Sequence, residues 1–387
     1  MQISNRVQNL AASQSLQMAA RAKQMKAEGI DVISMSLGEP DFDTPQSIRL
    51  EAQKAIDNHW SHYGPVAGIP SLRAAVAAQQ NKANGNAVNW TAEDVLVAVG
   101  AKMAIYNAIQ TAVNPGDEVI IPMPAWVSYT EMVKVAEGIV VSVETMMDNN
   151  FCITPDQLRA ALTPRTRMII LCSPNNPTGA VYSREQFEEL VAVLRDYPEV
   201  IVLADEIYAS LTYGTPATTL ASFPELEDRL VIINGVSKAY AMTGYRVGWL
   251  LCKDKAFVAA CARLQGQQVT CATMVAQKAA EAAVAGSQDC VEQMRQVFAE
   301  RRELICRLAS EIRGFRFREP QGAFYLFPDV QAIGTGDQVA EMILDKAHVA
   351  VVSGSAFGCP ECIRLSYAIS SEEIVEAMRR IKEVINN

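Results

Sequence analysis

The chain has 387 residues, half of them hydrophobic, and a formal net charge of −9. That length suits two domains, or one large domain with a smaller appendage. The acidic balance argues against nucleic acid or an anionic membrane as partner, and no run approaches the roughly 18 apolar residues of a membrane span.

Nine cysteines are scattered through helix-like and strand-like segments, and the first residues, MQISNRVQNLAASQSLQ, contain no apolar signal core. Reduced thiols and a cytoplasmic location are therefore expected. Cys359 and Cys362 form a lone C-P-E-C. A structural zinc site takes about four ligands, and without a second pair no metal site is expected.

In chain order, residues 13–28 read as a helix ending at Gly29, and DVISMSLGEPDFDTP as a short strand entering a turn-rich loop. Helices are expected over 46–57 and after Pro70, a residue that suits a first helical turn. From residue 95 the pattern alternates. VLVAV, EVIIP, IVVSV, RMIILC, VIVLA and LVIIN read as strands, mostly separated by helical stretches such as GAKMAIYNAIQTAV and SREQFEELVAVLRDY. Such alternation predicts an α/β fold with a mostly parallel sheet covered by helices. VGWLL reads as an added, antiparallel strand. Beyond residue 285 a long helix over 289–313 leads to a smaller α+β unit. Its strand candidates are FRFREPQGAFYLF, VAVVSG and CIRLSYA, and helices over 336–347 and 371–385 cover them.

Open α/β sheets bind ligands at the carboxyl ends of their strands. Gly100, Ala101 and Lys102 follow one strand and open a helix, whose free N–H groups and dipole suit phosphate. SPNNPTG follows the next such strand end, and Asp205, Glu206, Ile207 and Tyr208 follow VIVLA. After LVIIN come Ser237 and Lys238, with Arg246 eight residues later between Gly244 and Gly248. A lysine that loses hydration beside another cation loses proton affinity and becomes a carbonyl-reactive amine. Each feature alone reads as ordinary turn chemistry or a solvated lysine; their convergence on one rim is the specific signal.

The stretches SLGEPDFDTP, YGPVAGIPSLR, VGAK, PNNPTGAVY, DEIY, SKAYAMTGYRVG, QGAFY and IRLSYA together resemble the class I, fold-type I aminotransferases that use pyridoxal 5′-phosphate, in particular the bacterial aspartate and prephenate branch. The resemblance spans nearly the whole chain in the family's order. It implies that Lys238 holds the cofactor aldehyde and later carries the substrate proton. It implies that Asp205 faces the ring nitrogen, and that Tyr208, one helical turn on, and Asn176 reach the ring oxygen. Arg246, Ser237 and the backbone of Gly100, Ala101 and Lys102 are implied at the phosphate, and Trp126 on the ring face. Tyr63 is implied to reach the phosphate of a neighbouring subunit, hence a homodimer. Arg364 is implied to clamp the substrate α-carboxylate, assisted by Gly38 and Asn176. Lys102, Ser13 and Ser15 are the implied contacts to a distal carboxylate. One departure is Gly235, where relatives often carry a phosphate-binding serine.

The expected organisation is a large cofactor-binding domain over 46–285 and a small domain from 1–45 and 286–387. The expected reaction is aspartate plus 2-oxoglutarate giving oxaloacetate and glutamate. Alternatives are a prephenate or aromatic aminotransferase, or a carbon–sulfur lyase on the same scaffold. A DNA-binding sensor is disfavoured by the missing basic module.

Overall fold

The computed structural model describes residues 2–11, 14–214 and 216–387, with side chains other than those of 14–16. In chain order its strands are β1 (Ile33–Ser34), β2 (Val95–Ala98), β3 (Glu118–Met123), β4 (Ile139–Glu144), β5 (Thr166–Cys172), β6 (Ile201–Asp205), β7 (Leu230–Gly235), β8 (Gly248–Leu251), β9 (Tyr325–Leu326), β10 (Val349–Ala350), β11 (Val352–Ser353) and β12 (Ile363–Ser366).

Seven strands form one sheet in the order β2-β8-β7-β6-β5-β3-β4. Its neighbours pair in parallel except where β8 joins β2 and β7. The strands are apolar on both faces because helices cover both. Side-chain alternation splits them cleanly. Val95, Val97, Val202 and Ile232 enter one core layer; Leu96, Ala98, Leu203 and Ile233 enter the other. Burying each of the valine, leucine and isoleucine side chains stabilises the fold by about 1.5–3 kcal/mol. The register aligns Cys172 with Asp205, and Gly235 and Ala98 with Gly248. The carboxyl ends of β2, β5, β6 and β7 therefore share one rim. Running the opposite way, β8 begins at that rim and brings Arg246 with it.

The C-terminal unit joins β1 to β10 in parallel, and β11, β12 and β9 in an antiparallel ladder. Its core holds Phe298, Ile305, Phe324, Ile363, Leu365, Ile374 and Ile381. Ile207, Tyr208 and Leu211, from the turn after β6, pack into the same core. Tyr208 thus sits in a turn rather than one turn along a helix.

Three other expectations need correction. FRFREPQGAFYLF forms a strand only at Tyr325–Leu326, plus isolated bridges from Arg316 to Asp329 and from Gly322 to Thr212. Pro320 cannot donate to a ladder, and Gly322 N–H bonds Gly179 O instead. VAVVSG is not one strand, because the chain changes partner at Val351, leaving β1 for β12. The long helix stops at Ala309, where the Ser310 hydroxyl donates to the Arg307 carbonyl. Two further helices, Lys255–Gln268 and Met274–Ala285, lie beyond the elements singled out in the sequence. The second buries Ala276, Ala279, Ala280 and Ala283 in the first core layer and packs on the helices Gln46–Asp57 and Pro70–Ala83.

The SLGEPDFDTP loop ties the two units together. Arg301, on the long helix, donates to both Asp41 oxygens at 2.7 and 2.8 Å and lies over Phe42 and Phe298. Thr44 Oγ1 donates to Ala241 O, and Thr243 Oγ1 to Glu39, both beside the Lys238 loop. Asp41→Ala would strand a guanidinium that is 9% exposed. We expect a loss of about 2–3 kcal/mol, discounted from a fully buried pair because Asp41 is partly solvated. Denaturant unfolding at fixed protein concentration checks this; an unchanged midpoint would rule the anchor out.

Candidate functional site

Strand β7 empties into Val236, Ser237 and Lys238. The Lys238 residue is half-buried, and its Nζ donates to Gly38 O at 2.5 Å. Loss of hydration, the largest influence, lowers its pKa to about 8. Arg246 and Arg364 push in the same direction, while Glu39 and Asp205 oppose them. About a tenth of the amine is thereby neutral at pH 7, far more than for an ordinary lysine.

Asp205 closes β6 and is 3% exposed. Tyr129 donates its hydroxyl to Asp205 Oδ2 at 2.6 Å, and the Ile207 N–H donates to Oδ1 at 3.2 Å. Burial raises the Asp205 pKa, against the pull of those donors and of the Lys238 charge. Tyr129 was not among the sequence candidates; its only signal is a position three residues after Trp126. The two rings meet edge-on at 5.4 Å.

The phosphate-suited corner lies at the start of the helix Ala101–Ala112. Gly100 holds φ +79°, and a Cβ there would lie 2.5 Å from Arg246 Nη2. A Cβ on Gly248 would lie 2.2 Å from the Ala101 nitrogen. Only glycines let the helix start, β8 and the guanidinium approach so closely. Arg246 Nη1 donates to Thr243 O, and Ser237 is buried one residue before Lys238. Lys102 is exposed, with its ammonium 4.8 Å from the Trp126 ring centre. Reduced hydration, then Arg246, lowers its proton affinity.

Arg364 lies on β12 and is 2% exposed rather than on a strand surface. Its Nη1 donates to Asn176 Oδ1 at 2.9 Å and its Nη2 to Ser36 O at 2.7 Å. Its Nε has no partner among the described residues. The guanidinium lies over Tyr325 and Phe357, at 4.5 and 4.9 Å from their ring centres. No carboxylate is among its described hydrogen-bond partners, so a planar anion would complete it. Tyr325 also exchanges a hydrogen bond of 2.8 Å with Tyr208. Tyr325, within QGAFY, thereby links Arg364 to the turn that follows Asp205.

Lys238, Gly38, Asp205, Arg246 and Arg364 thus form one charged cluster, with Asn176 and Tyr208 joined to it through Arg364 and Tyr325. Tyr63 stands apart, 90% exposed at a cleft of about 440 Å³ with Trp60, His62 and Met274. Ser13 lies outside the described residues. Ser15 lies on the helix Gln14–Ala27, and its side chain also lies outside them.

The cluster fits pyridoxal phosphate on its own features: a cationic helix start for an anion, a buried acid for a protonated ring nitrogen, and an amine for an aldehyde. Comparison with known proteins agrees. A family profile described as "Aminotransferase class I and II" matches residues 30–381. The aspartate aminotransferase of Geobacillus stearothermophilus is 42% identical over 98% of both chains. The aspartate/prephenate aminotransferase of Nitrosomonas europaea is 39% identical over 100% of both. The solved aspartate aminotransferase of Thermus thermophilus with maleate aligns with a TM-score of 0.94 at 37% identity, covering 99% of this chain and 100% of that one.

Two expectations follow. An amine titrating at about 8 should take up pyridoxal phosphate about tenfold faster per pH unit below that value and level off above it. Stopped-flow uptake by the apoprotein, still rising to about pH 10 as for an ordinary lysine, would contradict the shift. Tyr129→Phe removes a donor to a buried carboxylate, so cofactor affinity should fall about 10- to 100-fold; wild-type affinity would exclude that role.

Proposed function

The chain belongs to the class I and II aminotransferases, and from that premise we propose that it transfers the amino group of aspartate to 2-oxoglutarate, with pyridoxal 5′-phosphate as cofactor. The observation that carries the reading is the Lys238 amine, held on Gly38 O just past the end of β7, with loss of hydration lowering its pKa and Asp205, Arg246 and Arg364 as charged neighbours.

When bound, the cofactor supplies an aldehyde that exchanges amines and a ring that accepts the electron pair of a Cα–H bond. Arg246, Ser237 and the N–H groups of Gly100, Ala101 and Lys102 would hold its phosphate. Asp205, held in place by Tyr129, would keep a proton on the ring nitrogen. Tyr208 and Asn176 would serve the ring oxygen, with Trp126 beside the ring. Arg364, with Gly38 and Asn176 beside it, fixes the substrate α-carboxylate, which orients the Cα–H bond. Lys238 would act as general base, taking the Cα proton and holding it on Nζ for return. Its lowered pKa suits both directions near neutrality.

Aspartate is favoured by the relatives' names and by the maleate, a dicarboxylate, in the Thermus protein. We assign the distal carboxylate to Lys102, with Ser13 and Ser15 on the N-terminal segment assisting. The name of the Nitrosomonas relative supports prephenate as a second acceptor. We further propose a cytoplasmic homodimer. In it Tyr63, with half-exposed Trp60 and Val269 nearby, reaches the partner's phosphate corner. The units that meet at the site are a large domain over 46–285 and a small one from 1–45 and 286–387. The nine free thiols suit a reducing compartment. Among the described residues no helix is long and apolar enough to cross a membrane.

Purified holoenzyme should form oxaloacetate and glutamate one for one from aspartate and 2-oxoglutarate. Release of pyruvate and ammonia would instead favour a lyase. Arg364→Ala should raise the KM for aspartate by about 30- to 1000-fold, the range for truncating a buried charge contact, with cofactor content retained. Lys102→Ala should weaken aspartate at least about tenfold more than alanine, since only aspartate offers a second carboxylate. Equal losses for both substrates would reassign Lys102 to the phosphate.

A further inference from the structure

The loop between β11 and β12 carries a cluster that transamination does not use. Cys359 Sγ lies 3.4 Å from Cys362 Sγ and 3.2 Å from Glu361 Oε1. One ligand-type atom from each of the three residues falls within 4.8 Å of the others. The C-P-E-C spacing lacks a second cysteine pair, but the fold supplies a third donor in Glu361. The loop is pinned by its backbone. Gly354 N–H donates to Cys362 O, Cys359 N–H to Gly354 O and Gly336 N–H to Pro360 O. A Cβ on Gly354 would lie 2.0 Å from Cys359 O. The thiols are 6% and 1% exposed, while Gly358 and Pro360 beside them are exposed.

We infer that Cys359, Glu361 and Cys362 bind one thiophilic divalent cation of the zinc type, with water completing the coordination. Two sulfurs on one tetrahedral centre, with bonds of about 2.3 Å, stand about 3.7 Å apart, so the thiols need open by only a few tenths of an ångström. Three protein donors plus water is a set that zinc accepts in open sites. Magnesium and calcium prefer oxygen donors and are disfavoured. The balance is simple: the cation replaces two thiol protons, which leave to solvent, and the cation with two thiolates and one carboxylate carries net charge −1.

The site stands apart from the reaction assigned above, yet close to it in the fold. Arg364 follows Cys362 by two residues, and Phe357, two residues before Cys359, faces the Arg364 guanidinium. A bound cation should therefore stabilise the loop that delivers the carboxylate clamp.

The test uses reduced holoenzyme, freed of metal by dialysis and titrated with Co²⁺. We expect one Co²⁺ per chain, a near-ultraviolet sulfur-to-cobalt band, and its displacement by Zn²⁺. Affinity should rise by up to about 100-fold per pH unit while two protons are released. Cys359→Ser and Cys362→Ser should each abolish the band. Glu361→Gln, which keeps both thiols, should weaken binding at least about tenfold while leaving cofactor content and basal activity unchanged. A band that survives in both serine variants places the cobalt on other cysteines and overturns the proposal. So does wild-type protein that binds no stoichiometric cobalt, whether Cys359 and Cys362 stay free or are found joined as a disulfide.

Discussion

Removing the Lys238 amine from water is the constraint on which the remaining site depends. A hydrated lysine holds its proton and cannot react with a carbonyl near neutrality. Loss of hydration brings its pKa to about 8, and two guanidinium groups help. That arrangement would be costly if the cations were not themselves fixed. Arg364 is held by Asn176 and Ser36 and covered by two aromatic rings, and Arg246 by Thr243 O and the glycine-lined helix start. Asp205 and Glu39 limit the shift from the other side. The amine is therefore tuned by opposed charges of both signs, and no single neighbour sets it.

The sheet makes this possible through one reversed strand. Four parallel pairings place strand ends on a common rim, and β8 enters between β2 and β7 in the opposite sense. Its first residue, Gly248, meets Ala98 and Gly235 in register. Arg246, two residues before it, then stands at the same rim as Lys238 and Ala101. The SLGEPDFDTP loop supplies the second connection. It gives Gly38 O to Lys238 and Asp41 to Arg301, so the C-terminal unit that bears Arg364 is tied to the lysine loop.

Residues carried by a local pattern were legible in the sequence. Asp205 and Lys238 follow apolar strands into small-residue loops, and Gly100 precedes a helix, so position on the rim follows from periodicity. The family resemblance added Arg364, whose burial no local pattern reveals. Tyr129 and Tyr325 stayed hidden because their roles depend on contacts 76 and 117 residues away in the chain. Strand content was overread in FRFREPQGAFYLF. Its aromatic residues suggest β-structure, but Phe324 and Tyr325 serve the second core and the site while Pro320 and Gly322 interrupt the ladder. The C-P-E-C pair was set aside on spacing, because a third donor two residues along is not visible as a ligand until the loop is folded.

Borohydride reduction of the holoenzyme followed by peptide mapping tests the central claim most directly. Reduction fixes the cofactor to whichever lysine holds it. The account predicts a single modified peptide with the label on Lys238. Label on Lys102 or any other lysine, or none on a protein that retains its cofactor, would contradict it.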